Sequence, residues 1–303
     1  MKHVAVLMGG QSAERPVSLK SGEACARGLV EAGYRVSRID VAEDLVDKLK
    51  GLAPDVAFNA LHGPMGEDGS IQGLLEFLGI PYTHSGVMAS ALAMDKGRAK
   101  AVLAAAGIPV AEHVTCTRFE AAERHLLPPP YVLKPVAEGS SFGVLIVREG
   151  ANRPPAELSS DNWPYGDAMM AERFVDGQEL TCGCFGDTVY DIIEIEPVSE
   201  SFYDFDAKYA PGGSTHTLPA RIKPNIYQDI QKYTLLAHRA LGCRGVSRAD
   251  FRYDPEKDEL VCLEVNTQPG MTETSLVPEM AAYAGVSFPA LVAALVEDAS
   301  CRR

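Results

Sequence analysis

The chain has 303 residues, 46% of them apolar and 23% charged, which is length enough for two or three packed subdomains and excludes a small disulfide-held scaffold. A formal net charge of -13 would repel a phosphate backbone, so nucleic acid is excluded as a partner. No apolar run approaches the roughly 18 residues that span a bilayer, so a membrane is excluded too. Seven cysteines, an odd number scattered along the chain, point to reduced thiols and the cytoplasm. Cys182-Gly183-Cys184 lacks a second pair to complete a zinc site and reads as buried strand thiols.

In chain order, the run from Val4 to Met8 reads as a first buried strand rather than a signal peptide, since Gly9-Gly10-Gln11-Ser12 follows without a small-residue cleavage site. A helix is predicted over 18–32, a strand over 35–39, a strand over 55–60, a glycine-rich loop over 62–69 and a helix over 70–78. This alternation predicts a parallel, doubly wound sheet. An alanine-rich helix carrying Lys96, Arg98 and Lys100 is predicted over 90–107. Beyond it, an apolar strand ends in Lys134-Pro135, followed by the loop Glu138-Gly139-Ser140-Ser141-Phe142-Gly143 and a strand over 144–147. Strand, glycine-rich loop and strand in that order suggest a hairpin flap rather than a strand-to-helix phosphate loop.

Residues 151–166, with three prolines, read as a poorly structured surface connection. Strands follow over 168–174, 180–185 and 189–195. The polar stretch 200–214 is long for a connection inside a compact domain and reads as a lid. The last third predicts a helix over 226–241, strands over 247–253 and 259–265, and a helix over 288–298. The fold class is therefore α/β, with a mixed sheet in the later part.

Glu264 and Asn266 alternate along a strand, so they share a face and present hard oxygen ligands together, the donor chemistry that suits magnesium. Arg248 and Asp250 alternate in the same way on another strand. Cross-strand ion pairs on a solvated sheet face are the competing reading. Lys134 at a strand end and the small flexible loop over 139–143, whose amides can close over phosphate oxygens, tip the balance toward phosphate handling.

Several further runs are specific: Gly9-Gly10-Gln11-Ser12-Ala13-Glu14-Arg15, Ala60-Leu61-His62-Gly63 with Gly66-Glu67-Asp68-Gly69, Met94-Asp95-Lys96, Asp206-Ala207-Lys208-Tyr209, and Asn266-Thr267-Gln268-Pro269-Gly270-Met271-Thr272 followed by Ser275-Leu276-Val277-Pro278. With them the sequence resembles the D-alanine:D-alanine ligases of the ATP-grasp superfamily along nearly its whole length. The resemblance implies an N-terminal Rossmann-like, parallel-sheet domain over 1–92 and two α+β ATP-grasp subdomains over 93–175 and 176–303, the last bearing the lid. It implies ATP-dependent joining of two D-alanines through a D-alanyl phosphate for peptidoglycan synthesis. Two magnesium ions, or manganese in their place, would assist, and the protein would be a homodimer.

Residue by residue, the resemblance implies that Lys96 and Lys134 contact the ATP phosphates, with Lys208 also at the nucleotide, and that Ser140 and Ser141 cover the γ-phosphate. Glu172 would sit at the adenine edge and Glu179 at the ribose. Asp250, Glu264 and Asn266 would hold the metals, while Arg248 and the Gly270 amide would stabilise the tetrahedral intermediate. Glu14 would pair with the first D-alanine's ammonium beside His62, and Ser275 with the Leu276 amide would receive the second carboxylate. Glu14, Ser140 and Tyr209 would be linked by hydrogen bonds that lock the lid. Phe142 and Phe174 depart from the family habit, which has a smaller apolar residue and often tryptophan there. A D-alanine:D-lactate ligase, or one using another D-amino acid, is the alternative within the fold, and Tyr209 favours the dipeptide. A dehydrogenase using Asp40 to bind ribose is the alternative outside it, but Gly9-Gly10-Gln11-Ser12-Ala13-Glu14 does not fit G-x-G-x-x-G.

Overall fold

The computed structural model describes residues 1–197, 213–272 and 274–302. Strand β1 (His3–Gly9) is buried at every position, as befits a parallel strand covered on both faces. Its alternate residues feed two cores. Val4, Val6 and Met8 pack with Cys25 and Leu29 of α1 (Arg15–Glu31), whereas Ala5 and Leu7 join Leu49 of α2 (Leu45–Leu52) and Leu75 of α3 (Ser70–Leu78). β1 lies between β2 (Arg35–Val41) and β3 (Val56–Asn59), parallel to both, so the strand order is β2-β1-β3. Winding reverses between β1 and β3, and the loops after these strands flank the crevice that such a reversal opens at the carboxyl ends. Glu14 and His62 are carried there.

The helix predicted over 90–107 is two helices, α4 (Val87–Met94) and α5 (Lys96–Ala105). Asp95 leaves the helical region at φ -82° and ψ 99°, and its carboxylate accepts the Arg98 backbone N–H at 3.0 Å, an N-cap that restarts the helix. The second sheet contains β4 (His113–Thr117), β5 (Tyr131–Pro135), β6 (Leu145–Val147) and β7 (Ala168–Arg173) in the antiparallel order β4-β7-β5-β6. β5 and β6 form the hairpin expected from the sequence, with residues 136–144 as its tip. β4 and the short helix α6 (Arg118–Glu123) were not anticipated. Residues 151–166 are more than a connection. They contain a 3-10 turn, Ala156–Ser159, with Leu158 fully buried, and Tyr165 stacks on Phe142 with ring centres 6.3 Å apart.

The third sheet is built from β8 (Gln178–Phe185), β9 (Thr188–Pro197), β10 (Ser214–Thr217), β11 (Val246–Asp254) and β12 (Glu259–Asn266) in the order β10-β9-β8-β11-β12. Helix α7 (Pro224–Ala240) closes one face, packing Ile226, Ile230 and Ala237 against Leu180, Ile192 and Phe251. Cys182 and Cys184 are buried free thiols of β8, as the sequence suggested. Helices α8 (Leu276–Tyr283) and α9 (Phe288–Asp298) complete the described chain, and α9 lies on the first sheet's core through Leu291, Val292 and Leu295. Gly28 permits that approach: a Cβ there would stand 3.1 Å from the Phe288 ring. Among the described residues no single helix is long and apolar enough to cross a membrane. Most of the expected lid over 200–214, including Lys208 and Tyr209, lies outside the described residues.

Candidate active site

The strand alternation read from the sequence puts four polar side chains side by side. In the antiparallel register of β11 and β12, Arg248 faces Asn266 and Asp250 faces Glu264. Asp250 is the hub: Arg248 donates to its two oxygens from Nε at 2.9 Å and Nη2 at 2.8 Å, Asn266 donates at 2.9 Å, and the Thr181 hydroxyl donates at 2.6 Å. This nearly buried carboxylate is therefore held in place by charge-assisted bonds. Glu264, Asp250 and Asn266 together offer carboxylate and amide oxygens at one end of two paired strands, a donor set that fits a hard divalent cation. The cross-strand bonds and the cation set involve the same residues, so the two sequence readings describe one cluster.

The second sheet faces this cluster across a cavity. Lys134 ends β5, and its Nζ donates to Glu172 Oε2 at 2.5 Å. Lys96 donates to the Glu138 carbonyl and lies 3.9 Å from Glu264. Lys134 and Glu172 are both nearly buried. Burial alone would lower the Lys134 pKa, but the Glu172 and Glu264 carboxylates outweigh it and raise it, so the ammonium persists. The hairpin tip carries Ser140 at φ 49°, Ser141 at φ 63° and Gly143 at φ 67°, a run of left-handed residues that bends the backbone sharply. Lys96, Lys134, Ser140, Ser141, Glu172 and Glu179 all line this cavity, with Asp250 and Glu264 on the opposite wall. Glu179 is also bonded to Arg252 Nη2 at 2.9 Å.

A second cavity adjoins the first and shares Ser140, Arg248, Glu264 and Leu276 with it. Its remaining wall includes Glu14, His62, Asn266, Gly270 and Ser275. Glu14, only 5% exposed, accepts a hydrogen bond from the Ser140 hydroxyl, joining the loop after β1 to the hairpin tip. His62 is held by Glu67 at 2.8 Å on Nδ1 and by Ser21 at 3.1 Å on Nε2. Burial opposes its imidazolium, yet the Glu67 hydrogen bond and the charges of Glu67 and Glu14 prevail and lift its pKa above the ordinary value. Ser275 is the N-cap residue of α8, so this cavity meets the amide-bearing end of a helix, a setting suited to a carboxylate. Thus every expected site residue within the described chain lines one of two adjoining cavities.

The sequence profile of the D-ala D-ala ligase C-terminus matches residues 102–297, and that of the D-ala D-ala ligase N-terminus matches residues 45–85. A D-alanine--D-alanine ligase of Chelativorans sp. (strain BNC1) is 63% identical over 305 aligned residues, covering 100% of this chain and 99% of that protein. The chain belongs to the D-alanine–D-alanine ligase family. The D-alanine--D-alanine ligase of Agrobacterium fabrum is 61% identical over the same coverage. The crystal structure of the Bacillus anthracis D-alanine--D-alanine ligase complexed with ATP superposes with a TM-score of 0.81 at 30% identity, covering 98% of this chain and 97% of that one. The VanG D-Ala:D-Ser ligase of Enterococcus faecalis superposes with a TM-score of 0.79 at 32% identity, covering 98% of each. The three-part ATP-grasp architecture of the family accounts for the sheet order observed here.

Within this ligase-family fold, Asp40 has no ribose-binding part to play: Arg15 takes both of its carboxylate oxygens at 2.7 and 2.6 Å. Phe142, the departure in the hairpin, has its compensation in Tyr165, against which it stacks. Sequence reasoning missed several supporting residues. Thr181 anchors Asp250, and Asn59 and Gln268, both buried, bond to each other at 2.6 Å and so tie the end of β3 to the loop after β12. In the sequence Lys100 is one of three cations on a helix, yet it is 1% exposed. Its position in the stripe Ala99, Lys100 and Leu103 was the available signal, because a lysine on a helix's apolar face needs a buried partner.

Proposed function

We propose that the chain joins two D-alanines into D-alanyl-D-alanine at the expense of ATP, in the cytoplasm, as a step of peptidoglycan precursor synthesis. The observation that carries this reading is the pair of cavities meeting at Ser140, Arg248 and Glu264, one suited to a nucleotide and the other to two zwitterions. ATP lies in the first, its phosphates met by Lys96, Lys134 and the amides of the hairpin tip, its adenine by Glu172 and its ribose by Glu179. Lys208 and Tyr209, which lie outside the described residues, are assigned by family resemblance to the nucleotide and to the hydrogen bonds with Glu14 and Ser140. The parts run over 1–92, 93–175 and 176–303, and two copies form a homodimer.

The first D-alanine presents its ammonium to Glu14 beside His62 and its carboxylate to the γ-phosphate. Carboxylate oxygen bonds to γ-phosphorus as the bond to the β-phosphate bridging oxygen breaks, giving D-alanyl phosphate and ADP. The second D-alanine is held by its carboxylate at Ser275 and the Leu276 amide. Its amine attacks the acyl carbon, and the oxygen that gains charge is met by Arg248 and the Gly270 N–H, after which phosphate leaves. Magnesium, held at Asp250, Glu264 and Asn266, would neutralise phosphate oxygens crowded against these carboxylates. Arg248 is already oriented by Asp250, so little reorganisation accompanies charge development. Water is kept from the acyl phosphate by the hairpin tip and the lid.

A substrate panel tests the reading. With ATP, magnesium and D-alanine alone, phosphate and dipeptide should appear in equal amounts, and adding D-lactate or D-serine should yield little mixed product. Mixed product in excess of the dipeptide would instead assign the depsipeptide or D-serine activity.

A further inference from the structure

Behind the nucleotide cavity two lysines share one carboxylate. Glu172, 3% exposed, touches Lys134 Nζ through Oε2 at 2.5 Å and Lys100 Nζ through Oε1. Lys134 and Glu172 line the cavity, whereas Lys100, on the buried face of α5, lies beyond them. Lys100 also donates to the Cys262 carbonyl of β12 at 3.1 Å, so one ammonium joins α5, β7 and β12. We propose that Lys100 is a charge-balancing positioning residue for the nucleotide site: it neutralises Glu172, so that Lys134 meets the ATP phosphates with its positive charge in full. The inference rests on the reading of Lys134 as a phosphate ligand.

The charge balance explains an arrangement that is otherwise costly. A buried ammonium and a buried carboxylate are each expensive to desolvate, and breaking such a pair is worse than never having it. A single lysine beside Glu172 would form a neutral pair, and the phosphates would meet an ammonium whose field is largely cancelled. The third charge restores a net positive group facing the cavity while keeping Glu172 ionised at the adenine side. Burial works to raise the Glu172 pKa, but Lys134 and Lys100 together overcome it and hold the carboxylate below its usual range. Burial pushes the Lys100 pKa down, with the Glu172 carboxylate acting against it. Lys100 does not touch the cavity, so its effect must pass through Glu172 and Lys134.

The test compares the dissociation constants of ATP and adenosine, measured by displacement of a fluorescent ATP analogue from the full chain with magnesium present. Adenosine lacks the phosphates, so the ratio of the two constants reports the phosphate contacts and cancels whatever Glu172 contributes at the adenine edge. Lys100→Met should weaken ATP by about tenfold or more and adenosine by no more than about twofold, the scale of one charge-assisted contact. The double variant Lys100→Met/Glu172→Gln removes both the charge that neutralises and the charge that needs it, so its ratio should return to within about threefold of the original. A packing role for Lys100 predicts instead that the double variant loses ATP preference further, and that result overturns the proposal, as does an unchanged ratio in Lys100→Met. Should Lys100→Met fail to fold, the double variant decides instead, because it removes Lys100 together with the carboxylate that Lys100 neutralises and leaves Lys134 facing the cavity with Glu264 as its nearby counter-charge; a ratio more than about threefold below the original there overturns the proposal. A Lys134→Met control isolates the underlying reading: an unchanged ratio there would remove Lys134 from the phosphates whatever Lys100 does.

Discussion

Gly63 offers a direct way to move Glu14 without replacing it. It has φ +71°, and a Cβ built on it would lie 2.5 Å from Glu14 Oε2 and 3.3 Å from the Ser12 side chain. Gly63→Ala therefore imposes a left-handed alanine, about 1–2 kcal/mol, and an overpacking strain of about 1–3 kcal/mol, relieved by pushing the Glu14 carboxylate aside. Glu14 is enclosed by Ser140 and, on another side, by Gly139, where a Cβ would stand 2.7 Å from Oε2, so it has little room to retreat. A charged contact to the first D-alanine's ammonium is worth about 1.5–3 kcal/mol, so KM for that substrate should rise roughly tenfold to 150-fold. The ATP dissociation constant should stay within about twofold, because Gly63 lies outside the nucleotide cavity. Gly33→Ala is the control: its φ is +90° with nothing within 4 Å, so it carries the backbone strain alone. It should lower stability by about 1–2 kcal/mol and leave KM unchanged. Saturation curves in D-alanine and denaturant melts on the two variants decide the matter. A folded Gly63→Ala protein with unaltered KM would refute the placement of Glu14 at the first substrate.

Arg248→Ala should reduce kcat by about 100- to 1,000-fold, the loss of one preorganised donor to developing charge, with a much smaller change in ATP affinity; near-normal turnover would reject that role. Glu264→Gln and Asn266→Ala should raise the magnesium concentration needed for half-maximal turnover, a shift read from metal titrations at saturating ATP, and an unshifted curve would reject both as ligands. The His62–Glu67 pair carries a pH signature. The folded His62 pKa is raised above the ordinary 6.5, so the stability it contributes is fully present below that value and is lost as pH rises through the folded pKa. The stability difference between the parent chain and Glu67→Gln, measured by denaturant melts between about pH 5.5 and 9, should therefore shrink toward alkaline pH. A difference that grows with pH would contradict the assignment.

Strand alternation alone makes much of the site legible. Arg248 and Asp250 share one face of their strand, and Glu264 and Asn266 one face of theirs, because the side-chain period of a strand is two, and that arithmetic holds without knowing how the strands pair. The pairing itself is a property of the fold, and it turns two suspected rows into one cluster centred on Asp250. Asp95 shows a signal overlooked: an acid inside an alanine-rich helix is a natural N-cap, and it splits the expected helix in two. The start of α6 is similar, since Thr117 and Glu120 have capping-box spacing and make both of its hydrogen bonds. Tyr165 and Lys100 were hidden for another reason. Their importance lies in partners distant in sequence, Phe142 for the first and Glu172 with Cys262 for the second; the stripe on α5 marks Lys100 as a lysine in need of a buried partner, but local pattern does not name that partner.

The most direct test of the account follows oxygen. If the first D-alanine's carboxylate attacks the γ-phosphate, one of its oxygens must leave with the phosphate when the peptide bond forms. D-alanine labelled with oxygen-18 in its carboxylate, incubated with ATP and magnesium, should yield one labelled oxygen in the released phosphate for each D-alanyl-D-alanine formed, measured by mass spectrometry. Dipeptide accompanied by unlabelled phosphate, or label-free phosphate release with no dipeptide, would contradict ligation through D-alanyl phosphate at this site.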